Sequence, residues 1–211
     1  MRNVRIFYEK KGRMKFVSHL DMNRFMSRLI AKSRIPIWFT EGFNQHAYMN
    51  FAVPLSLGYV GLYEVVDVKI VDDDYSLSKL VDDLNAVSTP DIKFVKASES
   101  VMRTKDIAFA EFKLDFDQIN AEKVDEFFNQ NEIVCQKKTK KGGFKDVDIA
   151  PLIKKAELCG NQLTLILAAG SEMNINPSLV MTAFYDFCGT EPQFYDVTRT
   201  MIYDKDLNPF I

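Results

Sequence analysis

The chain is poor in the residues that most often carry redox, metal or membrane roles. Its three cysteines, Cys135, Cys159 and Cys188, are odd in number and far apart, which excludes both a disulfide framework and a CxxC metal knuckle. With only two histidines, His19 and His46, a zinc site would have to recruit carboxylates from unlinked segments, and no metal is expected. No window approaches the ~20 consecutive apolar residues of a bilayer span, and MRNVRIFYEK carries charges where a secretory signal has its apolar stretch. A soluble, cytoplasmic protein with no membrane contact is expected. The net charge is only −2, which argues against nonspecific coating of nucleic acid.

What is present is ordinary in amount and uneven in distribution. Hydrophobic residues make up 47% and charged residues 27% of 211, enough to bury the core of one domain or two. Before Trp38 the charge is almost all basic, in Arg2, Arg5, Lys10, Lys11, Arg13, Lys15, Arg24, Arg28, Lys32 and Arg34, against Glu9 and Asp21. Acid collects later, in Asp72 to Asp74, Asp82-Asp83 and Asp115 to Glu126. One cationic surface follows from this asymmetry.

Periodicity gives the organisation. VRIFYEK alternates as a half-buried strand that runs through a Lys11-Gly12 turn into MKFV. Ser18 then caps a helix beginning at His19, with Asp21 in a capping-box position and Val17 stapling onto Met22. Met22, Phe25, Met26, Leu29 and Ile30 form its apolar stripe, and Pro36 ends it. YEVVDVKI reads as a strand, Ser76 caps a helix burying Leu77, Leu80, Val81 and Leu84, and DIKFVKA is a further strand. The pattern repeats: strand DIAFAEFKLDF, an Asn120-capped helix with Val124, Phe127 and Phe128 inward, strands EIVCQKK and QLTLILA, a helix opened by Asn176-Pro177 and closed by Gly189, and strand FYDVTRTMIY. The expected fold is therefore α+β, two tandem ferredoxin-like βαββαβ units with antiparallel sheets and helices on one face. The units span 1–100 and 101–211, and the second carries a basic insertion over 139–157.

Three segments could bind a ligand. The first turn of the His19 helix offers free N–H groups and the positive end of the dipole, with Lys15, Ser18, His19, Arg24 and Arg28 around it for a phosphate. The alternative is that Ser18 and Asp21 already satisfy those N–H groups. In FTEGFNQHAYMNF, Gly42 can turn the backbone so that Asn44 and His46 project, while Phe43, Tyr48 and Phe51 offer rings for stacking; the alternative is a bulged strand with core aromatics. KKTKKGGFK reads as a basic hairpin arm, with Gly142-Gly143 at its turn and Lys137, Lys138, Lys140, Lys141 and Lys145 as its charge, or as a solvated loop.

These residues match a known pattern. Lys15, Phe16, Ser18, His19, Asp21 and Arg24, then Phe39, Gly42, Phe43, Asn44 and His46, then Pro54, Leu55, Gly58, Glu64 and Asp67 resemble the motifs of the bacterial radical-SAM-linked proteins. That family is a domain of unknown function found beside or fused to cobalamin-binding radical-SAM proteins. Thr40 stands where the pattern has serine, Gln45 and Ala47 where it has prolines, and Val65 where it has tyrosine. The resemblance implies a cobalamin-binding radical-SAM protein as partner. This chain lacks the CxxxCxxC motif that would hold a cluster, so a companion role with no cofactor of its own is expected, binding the partner, an RNA-like phosphate-bearing substrate, or both. One alternative is a metal-independent endoribonuclease resembling the CRISPR repeat-processing nucleases, with His19 or His46 as base and Lys15 or Arg24 stabilising phosphate charge. Another is a purely protein-docking module. The sharpest spatial expectation is that the His19 turn and the His46 loop line one hollow.

Overall fold

A computed structural model describes residues 1–138, 142–171 and 173–211. It is a mixed α+β protein whose contacts divide it into two units, Met1–Thr104 with Phe210–Ile211, and Lys105–Pro209. The division falls four residues beyond the expected boundary, and the last two residues return to the first unit. No helix among the described residues is long and apolar enough to cross a membrane.

The first unit runs β1 (Arg2–Lys10), α1 (His19–Ser33), β2 (Met49–Phe51), β3 (Val60–Ile70), α2 (Leu77–Val87) and β4 (Ile92–Glu99). Its strands lie in the order β4-β1-β3-β2, all neighbours antiparallel. Val4, Ile6 and Tyr8 of β1 and Val66, Val68 and Ile70 of β3 form one core with Met22, Met26, Leu29 and Ile30 of α1 and Leu80 and Leu84 of α2. Ser18 accepts from the Asp21 backbone N–H and Ser76 from that of Lys79, so both N-caps read from the sequence are made. α1 stops before Pro36, at Arg34 with φ 58°.

Two details of this unit differ from the sequence reading. MKFV does not continue the strand: Gly12–Phe16 is a 3-10 turn. Gly12 sits at φ +51° with the Asp91 carboxylate where a Cβ would be, and Asp91 accepts from the Arg13 N–H, so the chain is held in a tight turn. Nor is β1 half-buried. Arg5 is 0% and Phe7 2% exposed, because β1 is a central strand and Phe210 covers its second face, with the Arg5 guanidinium 3.9 Å from the Phe210 ring centre.

The second unit runs β5 (Phe109–Phe116), α3 (Ala121–Phe128), β6 (Val134–Lys138), β7 (Phe144–Asp148), β8 (Ile153–Cys159), β9 (Gln162–Ala168), α4 (Pro177–Cys188) and β10 (Tyr195–Tyr203). Its main sheet has the order β10-β5-β9-β8, again antiparallel. The expected strand EIVCQKK is displaced from this sheet: among the described residues β6 pairs with β7 alone, in a separate two-stranded sheet. The base of that hairpin is closed by Asp148, which accepts from the N–H groups of Ile133 and Ala150. The strand beside β9 is instead β8, most of which lies inside the expected insertion. Gly160 at φ +60° opens a two-residue turn that Cys159 and Gln162 close, and so tight a connection selects its own neighbour as partner. Asn120 and Asn176 cap α3 and α4 as read, and Gly189 ends α4 in the left-handed conformation. Val180, Ala183 and Phe184 of α4 are buried, whereas Phe187 on the same helix is 43% exposed.

Candidate functional site

The first turn of α1 meets the segment that follows β2. Phe51 sets its ring edge-on against His19, with centroids 5.2 Å apart, and Gly58 N–H donates to the Lys15 carbonyl at 2.8 Å. Between them lies a cavity of ≈ 10 Å³ lined by His19, Phe51, Pro54 and Leu55 together with Lys10 and Glu64, close to the room that one water needs. Lys10 and Glu64 are each only 3% exposed. Burying two full charges of opposite sign beside one small cavity is expensive unless each is neutralised and hydrogen-bonded, and Lys10 Nζ donates to the Val17 carbonyl at 3.0 Å. The first and third motif segments thus converge on one point of the fold.

Gly61 makes room for this arrangement. A Cβ there would lie 2.6 Å from Glu64 Cγ and overlap its carboxylate. Gly61→Ala therefore forces Glu64 from its buried position, at an expected ~1–3 kcal/mol in a well-packed interior. Urea denaturation of Gly61→Ala, Glu64→Ala and the double variant tests this: the double should be less destabilised than the sum of the singles.

The anion-binding potential of the α1 terminus is largely spent internally. Ser18 Oγ donates to Asp21 Oδ2 at 2.8 Å, and Arg24 reaches Asp21 Oδ1 at 3.1 Å. These two contacts, the serine hydrogen bond first, hold the Asp21 carboxyl below its ordinary value. An anion on that terminus would have to compete with a carboxylate already there. His19 Nε2 lies 3.1 Å from the Asn23 amide nitrogen, and Arg28 is exposed. The broad cationic surface is also thinner than the sequence suggests, since Arg5 and Lys10 are inside and Arg2 and Lys11 pair with Glu99 and Glu9.

The His46 loop is closed on itself. Thr40 N–H donates to the His46 carbonyl at 2.9 Å, His46 N–H to Thr40 Oγ1 at 3.2 Å, and His46 Nδ1 lies 3.0 Å from the Asn44 carbonyl. Gly42 takes φ +117°, a conformation only glycine adopts readily. Phe43 is fully solvent-exposed and Asn44 is exposed. His46 is not among the residues lining the His19 cavity; the residue of FTEGFNQHAYMNF that lines it is Phe51. Tyr48 packs on Trp38, with Lys69 Nζ 4.8 Å from the Tyr48 ring. In the second unit Lys137 pairs with Lys145 across the β6–β7 hairpin. Lys140 and Lys141 lie outside the described residues. Among the described residues no group of three or more His, Cys, Asp or Glu is placed to hold a metal.

Sequence reasoning gave Lys10 and Gly61 no part in a common site with His19, and it offered Phe51 as a stacking ring of the His46 segment rather than as the direct neighbour of His19. Glu64 was visible only as a motif position. Asp67, also a motif position, accepts both Nε and Nη2 of Arg5, at 2.7 and 2.8 Å, and so belongs to the architecture of the sheet.

Residues 3–177 match the model of a family described as uncharacterized protein conserved in bacteria (DUF2344). The chain belongs to this family. The family match takes in all three motif segments, including the residues around the His19 cavity. No curated protein matches the chain. Among solved structures, one titled "Crystal Structure of a Cbf5-Nop10-Gar1 Complex" is similar at 11% identity and a TM-score of 0.49, covering 95% of this chain and 48% of that one. The chain thus spans about half the length of that neighbour.

Proposed function

We propose that this protein is a non-catalytic companion of a cobalamin-binding radical-SAM enzyme, and that it docks its partner through the apolar rim around the first turn of α1. The observation that carries this reading is the exposure of three large apolar side chains in that region, Phe16 at 64%, Leu20 at 60% and Leu57 at 63%. The Lys15–Gly58 hydrogen bond ties the segment bearing Leu57 to the one bearing Phe16. Clustered exposed apolar side chains mark interaction surfaces more than isolated ones do. Arg13 lies on the turn that bears Phe16, and Arg24 and Arg28 on the helix that bears Leu20, all three exposed, which suits a partner surface with an apolar centre and an acidic border. The motif resemblance supplies the partner class. The βαββαβ order and the 4-1-3-2 strand order of the first unit support reading it as ferredoxin-like, and the second unit supports the same reading once the β6–β7 hairpin is set aside. A phosphate-bearing ligand on the α1 terminus is the weaker reading, because Ser18 and Asp21 already occupy it.

The test is a binding titration of the purified radical-SAM partner against the wild-type chain and Leu20→Glu. Leu20 is exposed and its replacement should leave the thermal melt unchanged, while the loss of a central apolar anchor should weaken binding by about 30-fold or more. Equal affinity of the two chains would overturn the docking surface, and no binding by the wild type would overturn the companion role.

A further inference from the structure

β8 is the outermost strand of the second unit's sheet, paired with β9 on one side and last in the order β10-β5-β9-β8. A strand in that position offers its second edge to another strand. Lys155 and Glu157 project from the same outer face, with Lys155 Nζ 2.5 Å from Glu157 Oε2 and both side chains at least half exposed. Ala156 and Leu158 point the other way, into a groove of ≈ 310 Å³ whose opposite wall is Val124 and Phe128 of α3.

We infer that β8 is a self-association edge, pairing antiparallel with β8 of a second copy of this chain about a two-fold axis at Ala156. The charges choose that occupant and that register. With Ala156 opposite its own copy, Lys155 of each chain faces Glu157 of the other, giving two cross-strand pairs of opposite sign. Facing residues in an antiparallel pair share a face, so the neighbouring two-fold registers centre on Lys155 or on Glu157. Each of those sets like charges against each other, which is destabilising. The same sequence therefore attracts a second copy in one alignment and repels it in the flanking ones. On the inner side the second copy's strand brings its own Ala156 and Leu158 over the groove beside α3. The irregularity between Ile153 and Lys155 confines regular pairing to the segment around Ala156, so the association is concentration-dependent.

Sedimentation velocity over a concentration series tests this with wild type, Lys155→Glu and Glu157→Lys. Both substitutions are at exposed positions and leave the fold intact. Wild type is expected to show a mass that doubles with concentration, and each variant to weaken self-association on the order of tenfold or more, since both pairs become like-charge contacts. An equimolar mixture of the two variants is expected to recover dimer, because one chain then presents acid at both of these positions and the other presents base at both, so the two cross-strand contacts are again of opposite sign. A wild type that stays monomeric, variants that dimerise as well as wild type, or a mixture that stays monomeric would each overturn the proposal.

Discussion

Replacing Arg5 by alanine is expected to destabilise the first unit by about 3–5 kcal/mol, the range for removing one member of a buried ion pair. The guanidinium is fully buried, and each of its three nitrogens donates. It bonds both Asp67 oxygens, at 2.7 and 2.8 Å, Ser100 Oγ at 3.1 Å, and the carbonyls of Met102 and Ile211, each at 2.7 Å. Its face also covers Phe210. Alanine would leave the Asp67 carboxylate, 14% exposed, without its counter-charge, the Met102 carbonyl without the Arg5 donor, and the Ile211 oxygen with the Met102 N–H alone. Because whole domains are stable by only ~5–15 kcal/mol, such a loss is visible in any urea titration. Arg5→Lys should recover only part of it, since an ammonium cannot bridge two carboxylate oxygens in a plane and reach Ser100, Met102 and Ile211 together. Arg5→Met with Asp67→Leu should recover most of it, because removing both charges leaves none buried alone. A denaturation midpoint for Arg5→Ala equal to that of wild type would show that this network does not hold the unit.

Phe127→Ala is expected to destabilise the second unit by about 3–5 kcal/mol, the range for a fully buried phenylalanine. The ring is 1% exposed and packs against Phe128, Phe184 and Phe187 with centroids 4.9, 5.5 and 5.6 Å away. α3 has only eight residues, too few to persist without tertiary contacts, and Phe127 and Val124 are its buried side chains. Losing Phe127 should therefore unfasten α3 before the sheet. Hydrogen exchange checks this directly: α3 amides are expected to lose protection in Phe127→Ala while β5 and β9 keep theirs. Phe128→Ala, at a half-buried position, should cost clearly less, and equal costs for the two would overturn the assignment of Phe127 as the anchor.

Much of the fold is legible because its signals are local. Ser18, Ser76, Asn120 and Asn176 each cap a helix through a side chain two or three residues from the N–H that it accepts, and nothing distant is needed to recognise that geometry. The misread segments are those whose fate depends on a remote partner. EIVCQKK and IKKAELC have comparable strand character, and it is the Gly160 turn that delivers the second one to β9. The alternation in β1 correctly separates Val4, Ile6 and Tyr8 from Arg5 and Phe7, yet it cannot show that Phe210, some two hundred residues on, covers the second face.

The candidate site divides in the same way. The sequence marks His19, Ser18 and Asp21 as a helix terminus and Gly42 as a special turn, because capping and backbone freedom are properties of a few adjacent residues. By itself it determined four capped helices, two rounds of strand and helix, and family motifs in three blocks. Tertiary structure alone decided that the first block meets the third, placing His19 beside Phe51 and the buried Lys10 and Glu64. It also left the His46 loop hydrogen-bonded to itself. The reason is that strand register sets which side chains share a cavity, and register follows from the packing of whole strands rather than from any short run of residues.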